Sequence, residues 1–514
     1  MAKSVASATV PIQSPQQGMW ILVGTILGSS MVFIDGTIVN VALPVLQSKL
    51  NATVADAQWV VEAYALLLAA LLLVGGSLGD IYGRRRIFII GTVIFTVASI
   101  WCGLSPNVGS LIAARAIQGI GGALLTPNSL AIISAAFSNQ ERSKAIGTWS
   151  GFTSITSVIG PVLGGFLIQV ASWRFAFFIN FPLAIAVIAV MIVHVPETRD
   201  TSRTLYVDLP GAILATLGLG GIILGLIDTS SYSIAQVQVW LPLVAGIGFA
   251  VAFLYVEAHS DHAMMPLGIF RSRTFSGANI LTFLLYGALG GVFFFVPFNL
   301  QQVQGYSPFQ AGAALVPFAL IVFALSRWAG GLITRFGAKL PLIIGPSLVG
   351  IGFLLYARPT IGGPYWFTYF PAILINALGM AITIAPLTTS VMNSVDSGYM
   401  GVASGVNNAV SRAAALLFVA VLGLVVFQVF NHALNTQLAT AHISPAIQDA
   451  INSQRSRLAA IVLPKNIDSA QASQLHHSIN MAFVSAFRVC MLIGSGFAFG
   501  SAAIAAWLVD GKKQ

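Results

Sequence analysis

The sequence predicts an all-α integral membrane protein that crosses the bilayer fourteen times. Of its 514 residues, 57% are hydrophobic and only 8% are charged, and the mean hydropathy is +0.87. A soluble chain carries about 25% charged residues, so this chain cannot cover its surface with polar groups. Its apolar stretches are each about 20 residues long and continuous rather than alternating, which favours spanning helices over a β-barrel.

Fourteen apolar segments are long enough to cross the bilayer as helices. The first is too long for the apolar core of a signal peptide and has no convincing cleavage site. Residues 1–17, before it, are polar and rich in Pro, Gln and Ser, which predicts a terminal tail. The predicted spans are 20–44, 55–78, 87–104, 110–136, 145–170, 174–195, 208–228, 238–257, 274–300, 308–332, 340–357, 366–391, 402–430 and 482–508.

Lysine and arginine residues are distributed unequally between the two sides. With both termini on the same side, the loops and tails there carry fourteen of them, whereas the short loops opposite carry three. Basic residues are enriched in cytoplasmic loops, so we expect both termini in the cytoplasm. The net charge of +9 therefore indicates membrane orientation rather than a nucleic-acid partner. The long segment 431–481 then lies outside, where its composition predicts a short amphipathic hairpin of helices.

An internal repeat divides the chain into two halves. Residues 76–85 align with residues 330–339 at an offset of 254 residues, and the same offset superposes the span from Trp20 on that from Thr274. We expect six-helix bundles at 18–200 and 263–514, separated by two extra spans within 201–262. Such repeats are typical of alternating-access transporters, which bind substrate between the halves.

Four short motifs lie in the first half, and they carry a family resemblance. They resemble motifs of the major facilitator superfamily, in particular its fourteen-span drug–proton antiporter branch, the QacA/EmrB-like proteins. The resemblance covers essentially the whole chain. The four are 35–44; the loop 76–86 with Gly76, Asp80, Gly83, Arg84 and Arg85; 115–122; and 160–165 with Gly160, Pro161, Gly164 and Gly165.

The resemblance implies the major facilitator fold in a bacterial cytoplasmic membrane. It also implies proton-coupled export of amphipathic, often cationic compounds, and the 160–165 motif is the feature that most favours export over uptake. Asp80 is then expected to hold the halves together on the cytoplasmic side when the transporter is outward-open; a plain loop ion pair is the alternative. The Gly-rich motif with Pro161 either permits a bend at the interface or is a simple packing helix.

Asp35 and Arg115 are the candidate proton-coupling residues. A carboxylate inside hydrocarbon needs a reason, and Asp35 lies within the first predicted span. Arg115, within the fourth, offers guanidinium donors and keeps its charge. The alternative is a static ion pair that locks two helices together.

Glu62 is the candidate substrate-binding carboxylate, together with Trp59 and Tyr64. A carboxylate beside aromatic rings suits an organic cation. Its place near the outer end of the second span suggests the alternative of a hydrated headgroup-level carboxylate with Trp59 as an interface anchor. Under either interpretation we expect its charge to persist through the cycle.

The second half offers weaker candidates. Phe294, in a Phe-rich stretch, either lines an apolar cavity or packs against lipid and other helices, and Asn299 follows it. Arg412 is embedded in the thirteenth span without an obvious acidic partner, and no Asp or Glu lies in the apolar interior of spans nine to fourteen.

Other functions fit the sequence less well. Export of one endogenous metabolite or antibiotic would use the same machinery. A membrane-embedded transferase would need an acidic metal site, whereas the sequence shows no Asp-rich pair or His cluster, and we expect neither metal nor cofactor. Nucleotide-binding motifs are absent, so we expect no ATP-driven transport by this chain. The sequence leaves open whether a periplasmic adaptor is a partner.

Overall fold

The computed structural model describes residues 15–137, 139–199, 208–229, 232, 235–260, 265–395, 400–439, 443–464 and 467–510. The predicted tail therefore lies mostly outside the described residues, and its last three residues already belong to the first helix. The helices are α1 Pro15–Lys49, α2 Val54–Tyr82, α3 Arg84–Leu104, α4 Val108–Ala136, α5 Asn139–Val170, α6 Phe175–Phe178, α7 Asn180–His194, α8 Leu209–Asp228, α9 Val237–His259, α10 Arg273–Phe298, α11 Pro308–Ala314, α12 Val316–Gly330, α13 Leu332–Phe336, α14 Lys339–Tyr356, α15 Tyr365–Thr368, α16 Phe370–Asn393, α17 Met400–Ala439, α18 Pro445–Asn452 and α19 Ser469–Leu508.

The described residues form an all-helical membrane protein, as predicted. Thirteen helical segments are long and apolar enough to span a bilayer. The remaining predicted span, 145–170, corresponds to α5, a 32-residue helix whose apolar part is the shorter segment Ile159–Val170. With α6–α7 and α11–α12 each crossing as one broken helix, fourteen crossings place both termini at one end of the bundle. We call this the terminal end and the opposite one the distal end.

The predicted hairpin at 431–481 is wrong in extent. Helix α17 continues to Ala439 and α19 already begins at Ser469, so each is 40 residues long. Between them, the described residues form the short helix α18 and a 3₁₀ turn, Arg455–Ala460. Apolar character ends near residue 430, but the Ala-, Leu- and Gln-rich sequence beyond it has good helix propensity and continues the helix into the distal region.

The internal repeat is visible in the local structure. Helix α2 begins with a capping box formed by Thr53 and Asp56, and α11 begins with a capping box formed by Ser307 and Gln310, 254 residues later. Helix α2 ends at Gly83 with φ of 110°, and α13 ends at Gly337, again 254 residues later, with φ of 71°. Positive φ favours glycine at both positions.

Helices α1–α7 pack together as the first half, and α10–α19 pack together as the second half. The extra pair α8–α9 packs tightly on itself, since an added Cβ at Gly221 would come within 3 Å of the Gly246 Cα. Helix α8 also contacts both α2 and α17, which contact each other across the two halves. We call this contact the α2–α17 seam.

Candidate transport site

The Asp35 carboxylate lies at the centre of a buried polar network in the first half. Arg115 donates through Nη1 to its Oδ2. Gln118 donates to its Oδ1 at 2.8 Å, and Asn180 donates to the same oxygen at 3.3 Å. All four side chains are 0–1% exposed. The network joins α1, α4 and α7, and the predicted pairing of Asp35 with Arg115 is present.

The Arg115 guanidinium has partners in several directions. Its Nε donates to the Val60 carbonyl oxygen at 3.0 Å, and its Nη1 also donates to the Gln118 amide oxygen at 2.7 Å. Its Cζ lies 4.1 Å from the centroid of the Tyr64 ring, a cation–π contact. A buried ion pair is tolerated when further hydrogen bonds satisfy its remaining polar atoms, as they do here.

Glu62 is not the hydrated carboxylate that the alternative interpretation expected. It is 0% exposed, about 12 Å along α2 from the start of the helix. Neither carboxyl oxygen has a hydrogen-bond partner among the described residues. The two carboxyl groups of the first half therefore have opposite surroundings: that of Asp35 is fully paired, and that of Glu62 is alone.

Glu62 lies on the face of α2 that forms the α2–α17 seam. Four residues before it, Gln58 donates to the Val419 carbonyl oxygen of α17 at 2.7 Å. Four residues after it, Leu66 packs in a small apolar cluster with Leu416 of α17 and with residues of α8. Residues four apart share a helix face, so the Glu62 carboxyl points towards the second half.

Tyr64 does not join Glu62 in the predicted grouping. Its ring stacks against Arg115 and meets Phe95 edge-on inside the first half. Residues two apart in a helix do not face each other, which separates Tyr64 from Glu62. Trp59, three residues before Glu62, lies on the same side of α2 and is partly buried against the small apolar cluster that contains Leu66.

A cavity of about 230 Å³ lies between the halves. Phe293 contributes to its wall and lies 5.3 Å, ring to ring, from Phe318. The predicted lining residue Phe294 instead packs in the core against two neighbouring phenylalanines. The wall is apolar apart from one hydroxyl and one amide, and it consists of Thr37, Asn40, Val41, Pro161, Phe293, Pro297, Leu315, Phe318 and Ala319.

The halves are in close contact at the distal end. A π-helical turn, Asn299–Val303, follows α10. From it, Gln301 donates to the Val41 carbonyl oxygen at 2.8 Å, and Gln302 donates to the Gln47 amide oxygen at 2.7 Å. Asn299 itself faces the second half, where it accepts from the Tyr369 hydroxyl at 2.7 Å. Among the proposed substrate residues, Asn299 is thus buried within the distal contact.

The Gly-rich motif of α5 forms another part of the distal contact. An added Cβ at Gly165 would overlap the Pro308 carbonyl oxygen, and one at Gly312 would overlap the Pro161 carbonyl oxygen. Gly160 and Gly164 instead pack against α1, at Thr37 and Ile38. The motif therefore packs closely on both sides, and half of it defines the interface between the halves.

At the terminal end, the 76–86 motif interacts within the first half. Arg84 forms an ion pair with Asp80 at 2.7 Å and donates to the Ala131 carbonyl oxygen of α4. Glu197 accepts from the backbone amides of Arg85 and Arg86. The motif glycines keep the helices close, since a Cβ at Gly79 would overlap Asn128, whereas Gly76 only touches Pro127.

Sequence reasoning did not single out several residues of these contacts. Gln118 lies in the 115–122 motif and Asn180 begins α7, but nothing in the sequence showed that they converge on Asp35. The anchoring role of Glu197 depends on a contact 112 residues away from Arg85. Within the described ranges, no three His, Cys, Asp or Glu side chains come together as metal ligands would.

Two repeated helical bundles meet closely at one end, and the first of them contains a buried ion-pair network. Together these features define a membrane transporter. The chain belongs to the Major Facilitator Superfamily, whose family model matches residues 25–419. It is 33% identical over 456 residues to the multidrug resistance protein Stp of Mycobacterium tuberculosis, covering 87% of this chain and 81% of that protein. It is 28% identical over 498 residues to the tetracenomycin C resistance and export protein of Streptomyces glaucescens, covering 94% and 90%.

Solved structures show the same fold. A bacterial homologue of the human lysosomal transporter Spinster superposes with a TM-score of 0.64 at 17% identity, covering 96% of this chain and 98% of that one. The chain is therefore a transporter of this superfamily and not an enzyme.

Proposed function

We propose that this protein exports amphipathic compounds from the cytoplasm in exchange for protons, by alternating access between its two halves. The observation that carries the proposal is the pair of membrane-buried carboxyl groups in opposite surroundings. Asp35 is neutralised by Arg115, whereas Glu62 has no partner on a face that contacts the other half. Titratable groups in contrasting environments are the usual means of assigning separate proton-handling roles.

The seam position gives Glu62 a larger part in coupling than its motif suggests. An ionised carboxylate without a partner is very unfavourable in a buried site, so Glu62 is proposed to hold its proton while the distal end is closed. Separation of α2 from α17 at the distal end would hydrate it and release that proton. Asp35 remains the proposed exchange residue within the network, where proton uptake would break its contacts and reposition α1.

The relatives support the direction of transport and the kind of substrate. Both are described as resistance proteins, and one is described as an export protein. A narrower function, export of a single natural product, is favoured by the relative described as acting on tetracenomycin C. The small cavity with an apolar wall between the halves fits either breadth of substrate.

The test is transport by purified protein in liposomes with an imposed pH gradient. We expect gradient-dependent uptake of several amphipathic compounds into vesicles that have an acidic lumen, and no such uptake in vesicles without a gradient. A single transported compound within a broad panel would support the narrower function. Uptake that is unaffected when an ionophore collapses the gradient would contradict proton coupling.

The orientation is proposed to place the terminal end in the cytoplasm of a bacterial cell. Tyr82, at the terminal end, and Gln448, at the distal end, are both exposed, whereas the native Cys102 and Cys490 are buried. In intact cells, an impermeant thiol reagent should label Gln448→Cys but not Tyr82→Cys. The reverse pattern would invert the topology and turn the proposed exporter into an importer.

A further inference from the structure

Arg412 is a charged side chain deep in the second half that no hydrogen bond or ion pair of the described residues uses. It lies 12 residues into α17, roughly 18 Å from the start of the helix. An ionisable residue at such a depth is unfavourable unless it faces a partner, a cavity or a ligand.

The contacts of α17 show where Arg412 points. Leu416, one turn further along, packs with Leu66 of α2, and Val419 accepts the hydrogen bond from Gln58. These positions share one face of α17 with Arg412, so Arg412 faces the first half across the α2–α17 seam.

Side chains on the seam face of α17 become exposed at the level of Arg412. Along this face of α17, Leu416 is 3% exposed, Arg412 is partly exposed, and Asn408, the next residue towards the terminal end, is exposed. On this face of α17, side-chain exposure therefore increases from Leu416 towards the terminal end. Arg412 is the first charged side chain met on this face from the terminal end.

The carboxylates of the described spans leave Arg412 unpaired. Asp35 is already occupied by Arg115, Gln118 and Asn180. Neither carboxyl oxygen of Glu62 has a hydrogen-bond partner among the described residues, so Glu62 does not pair with Arg412. The interiors of α10, α12, α14, α16, α17 and α19 contain no Asp or Glu.

We propose that Arg412 binds an anionic group, a carboxylate or a phenolate, of amphipathic substrates that reach the α2–α17 seam from the terminal end. A guanidinium donates paired, charge-assisted hydrogen bonds to a carboxylate and also stacks on aromatic rings. The site therefore adds aromatic acids to the cations expected from the family resemblance. This inference rests on the proposed export function and specifies the substrate class of that transporter.

The test uses three fluorescent probes that share one ring system and differ only in charge: 1-pyrenebutyrate, 1-pyrenebutanol and 1-pyrenebutylammonium. Equilibrium binding to the purified full-length protein is measured for wild type, Arg412→Gln and Arg412→Lys. Arg488→Gln, which removes the same charge from an exposed position on α19, is the matched control. We expect Arg412→Gln to weaken binding of the butyrate by about tenfold or more, the effect typical of a lost charged hydrogen bond.

Comparison of the butyrate and butanol probes distinguishes loss of the anion site from misfolding of the variant. Binding of the butanol should be unchanged in Arg412→Gln, Arg412→Lys should retain part of the butyrate affinity, and Arg488→Gln should bind all three probes as wild type does. Equal losses for butyrate and butanol, or no loss for either, would overturn the inference. If Arg412→Gln does not fold, a selective butyrate loss in Arg412→Lys supports the site, and an unselective loss overturns it.

Transport of the same probes separates this inference from the proposed function. Gradient-driven transport of the butanol or the ammonium probe without preferential binding of the butyrate would leave the exporter intact and remove the anion site. Failure of wild type to transport any amphipathic compound would overturn both.

Discussion

The two halves share their local structure and differ in what they bury. Thr53 and Ser307 begin equivalent helices, α2 and α11, with the same kind of capping box. Gly83 and Gly337, at the ends of α2 and α13, both have positive φ. The position equivalent to Asp35 is Leu289, which is 8% exposed, and the position equivalent to Glu62 is Val316. The repeat thus preserves caps and turns, while the carboxyl groups inside the spans of the two bundles belong to the first half.

Amides and hydroxyls make several of the polar contacts between helices of the second half, and Arg488 donates to the Ala357 carbonyl oxygen. Asn407 donates to Asn279 and Thr282, and Tyr369 donates to Asn299. These groups hold helices together without a change of charge. The difference supports the proposed division of roles, in which the first half would handle protons and the second half would contribute Arg412 and part of the apolar cavity wall.

Replacement of Asp35 is expected to have the largest effect, because no carboxyl group in the second half can take its place. We expect Asp35→Asn to abolish gradient-driven transport of every substrate while binding of neutral compounds persists. Removal of one partner of a buried ion pair also destabilises the fold, by roughly 3–5 kcal/mol. Transport in liposomes and thermal unfolding measure the two effects.

The double variant Asp35→Asn/Arg115→Gln is the control for stability. Without an unpaired buried charge it should unfold at a higher temperature than Asp35→Asn alone. Transport should stay absent. Gradient-driven transport by the double variant would make the network a structural lock rather than a coupling site.

Glu62→Gln sharpens the division within the first half. The amide resembles the protonated acid, so we expect unfolding to be little changed, in contrast to Asp35→Asn. Transport of cations should weaken selectively, most for multiply charged ones. Proton release on addition of substrate to the solubilised protein measures the coupling role of each carboxyl group. Release that persists in Asp35→Asn and is lost in Glu62→Gln would assign coupling to the seam residue.

Gly312→Ala tests whether the distal contact is what holds the two halves closed. The added Cβ would overlap the Pro161 carbonyl oxygen, so we expect the distal ends to move apart. Spin labels at the exposed positions 48 and 360, one in each half, report the distance between them. The matched control is Gly248→Ala on α9, where an added Cβ meets nothing within 4 Å. An unchanged distance distribution in Gly312→Ala would contradict the assignment of this contact.

Asp80→Asn is expected to have the smallest effect. The Asp80–Arg84 pair is partly exposed, and such pairs contribute less than about 1 kcal/mol to folding. The variant should fold normally, have a lower turnover and shift the population towards a wider terminal end. Labels at Tyr82 and Phe336, which are equivalent in the repeat and both exposed, measure this width. A distribution identical to wild type would reduce the motif to a loop ion pair.

The fold could be predicted because each span is a long, continuous signal of hydropathy. The residues of the ion-pair network were partly predictable as well, since a charge inside a span is conspicuous. The burial of Glu62 was not, although the predicted span began one residue from Val54, because burial depends on which face of α2 packs against α17. The partners of Asp35 were also hidden, since contacts between α1, α4 and α7 depend on helix rotation.

The position of α8 has a mechanical consequence. Because α8 touches α2 and α17 together, it covers part of the seam between the halves. A change in the separation of α2 and α17 must therefore change the packing of α8 on at least one of them. Deletion of α8 and α9 would remove this cover as well as shorten the protein to twelve spans.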